Sequence, residues 1–162
     1  MSRPRIVVDN SVMQPAYFAE DSNEHYDAGL VTNRARSLVQ SIRLGRVKAF
    51  VPPSFFREFL NVASIPLFRI GGRSTGAVDA IRTQWEDLLR LPLHTVRMEQ
   101  ITGLSGSLVF DDACPAPDAW YVAAAIQAQA TFWMSHDHKD GLAAIAVKHV
   151  DVKLLSEEAP RY

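Results

Sequence analysis

The chain has 162 residues, 48% of them apolar and 22% charged, with a formal net charge of −1 and one cysteine. That length fits one domain of roughly 100–200 residues, enough to bury a core without disulfides or structural metals. The near-neutral balance excludes a protein drawn to nucleic acid or anionic membrane by bulk charge, and the lone Cys114 excludes an internal disulfide and a Cys-based zinc motif.

A single domain over residues 1–162 in a reducing, cytoplasmic compartment is therefore expected. The apolar run Ile6-Val7-Val8 is too short for a signal peptide, and no other run approaches the ~20 residues of a membrane span.

In chain order, Ile6-Val7-Val8 reads as a short buried strand ending at Asp9. Met13, Tyr17 and Phe18 follow at helical spacing. From Glu24 to Arg46, the residues Tyr26, Leu30, Val31, Leu38, Val39 and Ile42 form one apolar helix stripe, closed by Gly45. Val47 to Val51 is a second strand. Pro52-Pro53-Ser54 stops it and supplies the cap of a helix over 55–65, where Phe55, Phe56, Phe59, Leu60 and Val62 surround Glu58.

Residues 70–76 read as a loop, and 78–91 as a helix with Ile81, Trp85, Leu88 and Leu89 on one face. Leu93 to Met98 is a short extended piece. Residues 99–110 stay undecided between helix and loop because two glycines weaken any helix there, and 111–117 read as a loop holding two prolines. A helix opens at Asp118 and fades near Ala130. A strand over 131–135, a helix over 141–149 and a strand over 150–155 complete the chain. Strands separated by helices imply a three-layer α/β domain with a central, mostly parallel sheet flanked by helices.

Four acids stand where surface charge is not the obvious explanation. Asp9 follows the first strand and Asp137 follows the strand over 131–135, so both are expected at the carboxyl edge of the sheet, where open α/β sheets gather functional groups. Asp118 stands at the start of its helix, where it is either a functional acid or a helix cap. Glu58 lies within an apolar helix and needs a salt-bridge partner, a proton or a metal. Converged carboxylates with no His or Cys ligand spacing point to Mg²⁺ or Mn²⁺ and to phosphodiester displacement. Spacing alone leaves convergence open.

These residues resemble the PIN-domain family, in particular its VapC-type toxin ribonucleases. Val7-Val8-Asp9-Asn10-Ser11-Val12 matches a strand-end "VVDxSV" block. Val51-Pro52-Pro53-Ser54 running to Glu58-Phe59-Leu60-Asn61-Val62 matches "vPsxxxxEfxNv". Asp118-Ala119-Trp120-Tyr121-Val122-Ala123-Ala124-Ala125 matches "DAxYvAxA", and Ser135-His136-Asp137 matches "[TS]xD".

The blocks fall in family order over nearly the whole chain. The resemblance implies a Rossmann-like PIN domain in which Asp9, Glu58, Asp118 and Asp137 bind Mg²⁺ or Mn²⁺ and cut RNA. It also implies homodimerisation and an inhibitory antitoxin partner. Ser11 and Ser135 match hydroxyl positions near that site, and Asn61, one turn from Glu58, is expected to face the same way; local backbone hydrogen bonds explain these side chains equally well. The stretch from Ser135 to Leu142 departs from the pattern by two extra residues, which leaves Asp140 in competition with Asp137.

Arg34, Arg36, Arg43, Arg46 and Lys48, extended by Arg69, Arg73 and Arg82, read as a solvated face or as an RNA- or antitoxin-contacting surface. His94, His136 and His138 are not needed by a metal-activated water. Asp111 and Asp112 read as loop residues, and Trp85, Trp120 and Trp133 as core rather than base-stacking platforms. A haloacid-dehalogenase-type phosphatase expects a second Asp where Ser11 stands. The stronger alternative is a non-catalytic PIN-like module that binds protein or RNA.

Overall fold

The computed structural model describes residues 2–18, 28–69, 75–135 and 141–162. Strand β1 (Arg5–Val8) leads into α1 (Asn10–Tyr17) and α2 (Ala28–Arg43), then β2 (Lys48–Val51), α3 (Phe55–Arg69) and α4 (Thr75–Leu89). Strand β3 (Leu93–Thr95) is followed by α5 (Met98–Asp112), α6 (Ala116–Ala128), β4 (Thr131–Met134), α7 (Leu142–Ala146) and β5 (Val152–Leu154).

The five strands form one sheet in the order β3-β2-β1-β4-β5, parallel throughout. Parallel neighbours need long crossovers, which the helices supply while covering the sheet faces. Ile6, Val7 and Val8 are fully buried at its centre, beside Ala49, Val51, Phe132 and Met134. Strand order runs outward from β1 through β2 to β3, and on its other side through β4 to β5. The β1–β4 boundary, with Val8 in register with Trp133, is therefore the topological switch point, outside whose carboxyl ends α/β proteins form their ligand crevice.

Four local expectations are corrected. Residues 98–112 form the continuous helix α5. Its glycines, Gly103 and Gly106, have open space where a side chain would stand, so each costs only about 1 kcal/mol of helix propensity, which burial of Ile101 and Leu108 offsets. Asp111 and Asp112 are thus the end of a helix and not a loop.

The next helix opens before Asp118. Pro115 stands at its N-cap and Asp118 is in the first turn, where an acid complements the helix dipole. Ser54 does not cap α3 through its side chain, since its buried hydroxyl has no hydrogen-bond partner among the described residues. Gly45 behaves as read, with φ +65° just beyond α2. The loop expected over 70–76 lies mostly outside the described residues.

Candidate active site

The switch point begins with Asp9. Its backbone is extended, with φ −74° and ψ 156°, its N–H donates to the Trp133 carbonyl at 3.0 Å, and its side chain caps α1. One carboxylate oxygen accepts the Asn10 N–H at 2.8 Å and the other the Ser11 N–H at 3.3 Å. A helix N-terminus thus fixes this buried acid at the strand end. Ser11 ties the two central strands, its Oγ accepting the Ser135 N–H at 3.2 Å. The Ser11 hydroxyl and the Ser135 backbone therefore meet across the β1–β4 edge.

Glu58 comes from the other side of the crevice, one turn into α3 and half-buried. It has no salt bridge among the described residues. Its Oε2 accepts the Tyr121 hydroxyl at 2.6 Å and the Asn10 side-chain amide at 3.2 Å. The same amide donates to Tyr121 Oη at 2.8 Å and to the Phe55 carbonyl at 3.3 Å. Turning the Asn10 amide over would set its oxygen against Glu58 and the Phe55 carbonyl, so these acceptors fix its orientation. The consequence is that Asn10 Oδ1 is buried without a donor.

Asn10, Glu58 and Tyr121 thus form a closed polar triangle drawn from three helices. Burial above all, then the negative charges of Asp9 and Glu58, pushes the Tyr121 hydroxyl far above the usual tyrosine range, so it stays protonated and donates. Of the two acids, Glu58 is the one that accepts this hydroxyl.

Sequence reasoning quoted Asn10 and Tyr121 within motifs but assigned them no role. The available signal was Tyr121 itself, a polar tip opening the buried run Tyr121 to Ala125, which had to find a partner. Asp118 lies one turn before Tyr121, half-buried, and its charge reaches Cys114. Burial first, then the charges of Asp118 and Asp112, pushes the Cys114 thiol up to about 11.

Asn61 is exposed, and its side chain makes no hydrogen bond with the acids among the described residues. Its backbone carbonyl accepts the Ser64 hydroxyl at 2.8 Å. Asp137, Asp140, His136 and His138 lie outside the described residues. The oxygen-only chemistry of Asp9 and Glu58 fits a hard divalent cation. Among the described residues, however, no three His, Cys, Asp or Glu side chains stand together as a ligand set.

The basic cluster is engaged within the molecule. Arg34 donates to the Leu155 carbonyl at 2.7 Å, Arg36 to that of Ala16 at 3.4 Å and Arg46 to that of Tyr162 at 3.3 Å, while Arg43 pairs with Asp87. Lys48 sits over the Phe50 ring at 5.2 Å, and Arg82 pairs with Asp79 at 3.5 Å. Arg73 and the Arg69 side chain lie outside the described residues.

Five parallel strands between helices, with Asp9 at the β1–β4 switch point, define a PIN-like α/β fold. A solved structure of FitAB bound to an IR36 DNA fragment is similar, with a TM-score of 0.62 over 97% of this chain and 99% of that chain, at 13% identity. No family model matches the sequence, and the search of curated proteins finds no match. No helix among the described residues is long and apolar enough to cross a membrane.

Proposed function

We propose that this protein is a metal-dependent endoribonuclease, the toxin of a VapBC-type toxin–antitoxin pair. The observation that carries this reading is that Asn10 joins the two acids, its N–H held by Asp9 at the end of β1 and its side-chain amide on Glu58 of α3. Asp9, Glu58, Asp118 and Asp137 would hold Mg²⁺ or Mn²⁺, with Asp140 the competitor for the fourth place. Such an ion supplies an activated water and offsets charge developing at the phosphate.

The chain's own groups set up that chemistry. Backbone N–H groups orient Asp9, Tyr121 and Asn10 hold Glu58 at one oxygen, and Ser11 joins the two strand ends. An antitoxin partner, a homodimer and a cytoplasmic location belong to the same reading through the motif resemblance.

The test is cleavage of single-stranded RNA with Mn²⁺ and with chelator. Asp9→Asn removes a ligand's charge at constant size, so it should abolish cleavage while keeping the fold by circular dichroism. Full activity in that variant would remove Asp9 from the site. The alternative, a non-catalytic PIN-like module that binds protein or RNA, is favoured by one observation: the described residues alone do not complete a metal ligand set. Absence of any cleavage with Mn²⁺ would select it.

A further inference from the structure

A groove of about 520 Å³ opens beside Glu58, with Ser54, Arg57 and Glu58 on the α3 side and Met98, Pro117 and Trp120 on the other. Its size lies within the range of small-ligand sites. The chain has three tryptophans, and all three pack in or against the core, but among the described residues two of them also make ring contacts or hydrogen bonds. Trp85 meets the rings of Phe56 and Phe59, and the Trp133 indole donates to Tyr162 Oη at 2.8 Å. Trp120 is half-buried, lines the groove and makes no ring contact or hydrogen bond with a described residue.

Arg57 lines the same groove. Arg34, Arg36, Arg43, Arg46 and Arg82 are engaged by carbonyls or carboxylates, whereas Arg57 is exposed and has no such partner among the described residues. An indole face and an uncommitted guanidinium beside an acidic site are what a nucleobase with its phosphate requires. A base within a duplex has both faces covered by its neighbours, so only an unpaired base can use the indole.

We propose that this groove is a subsite for one unpaired nucleobase of single-stranded RNA, stacked on Trp120 with an adjacent phosphate on Arg57. The proposal rests on the nuclease reading and names its substrate class.

The test is a titration of tryptophan fluorescence in chelator, using an oligoribonucleotide too short to fold and the same strand annealed to its complement. The single strand should quench the wild-type emission. Trp120→Ala should lose the quench and bind roughly 5- to 150-fold more weakly, while Trp120→Phe keeps most of the affinity. Arg57→Gln should weaken binding and lower the salt slope by about one. In cleavage with Mn²⁺, Trp120→Ala should raise KM with kcat little changed, because the stack forms before the chemistry.

Equal binding by Trp120→Ala and wild type, or equal wild-type affinity for the duplex, overturns the subsite even where Asp9→Asn abolishes cleavage. Trp120-dependent binding without any cleavage overturns the nuclease reading and leaves the subsite standing. Were Trp120→Ala to unfold, Trp120→Phe and Arg57→Gln would decide between the same outcomes.

Discussion

Tyr121→Phe removes one oxygen from the junction of α1, α3 and α6. That oxygen donates to Glu58 at 2.6 Å and accepts from Asn10 at 2.8 Å, and the residue is 2% exposed. A hydrogen bond to a charged group contributes about 1.5–3 kcal/mol. Two effects oppose that loss. Glu58 is half-buried, so water can replace part of what Tyr121 supplied, and the desolvation cost of the phenol disappears with it. Asn10 is not stranded, because its amide still reaches the Phe55 carbonyl at 3.3 Å and Glu58 at 3.2 Å.

The expected net loss is about 1–2 kcal/mol, or a fall in Tm of about 2–8 °C for a chain of this size. Because Glu58 is then held by one neighbour instead of two, the proposed cleavage should slow about ten-fold or more, with KM nearly unchanged. Thermal melts give the first quantity and steady-state cleavage the second. A double-mutant cycle with Asn10→Ala should show coupling of about 0.5–3 kcal/mol, since the two side chains touch. A Tyr121→Phe protein that melts at the wild-type temperature and cleaves at the wild-type rate would refute the argument that this triangle holds Glu58.

Other sites give independent checks. The His149 hydrogen bond at 2.8 Å, with Lys148 beside it, holds the Asp112 carboxyl below its usual range. A depressed carboxyl adds stability above its unfolded value, about 3.9, and loses it as pH falls through the lower folded value. The Tm advantage of wild type over Asp112→Asn should therefore be full at pH 6 and shrink toward pH 3; a gap that stays constant would remove this link. Cys114 is 2% exposed with its thiol pushed up to about 11, so a thiol reagent at pH 8 should label the protein only after unfolding. Rapid labelling of the native protein would contradict that burial. Phe59 is fully buried against the rings of Tyr17, Phe18 and Trp85, so Phe59→Ala should cost about 3–5 kcal/mol by urea titration, and a loss under about 1 kcal/mol would show that the cluster repacks.

The fold was legible where hydrophobic runs were short and cleanly bounded. Ile6-Val7-Val8 before Asp9, and the strand start at Thr131, give the central pair of the sheet directly from β-branched and aromatic residues flanked by polar ones. Helix α5 was not legible because propensity counts Gly103 and Gly106 against it, while the packing of α5 on α6 is tertiary and invisible to a local window. Asp9 was found as a strand-end acid, but its capping of α1 was not foreseen. Glu58 was rightly singled out as an acid in need of a partner. That partner lies 63 residues on at Tyr121, and no spacing rule links the two. The arginines around α2 form the solvated face that was read, with Arg36, Arg43 and Arg46 exposed, but their acceptors, carbonyls at Ala16, Leu155 and Tyr162 among them, are not disclosed by sequence distance.

Helix α6 explains why the site could form from so ordinary a sequence. Its core-facing residues Ala119, Ala123, Ala124 and Ala125 are fully buried, and the helix lies against β1, β2 and β4. Alanines let a helix axis approach a sheet closely and lose no side-chain entropy on burial. Among them Tyr121 is the one large side chain fully buried, and its length carries a hydroxyl from this close-packed helix to the crevice edge. The alanine run and the tyrosine are therefore one device. A larger residue at Ala124 or Ala125 would push α6 outward and withdraw the hydroxyl from Glu58. The site should thus be as sensitive to overpacking beneath α6 as to loss of its own polar groups.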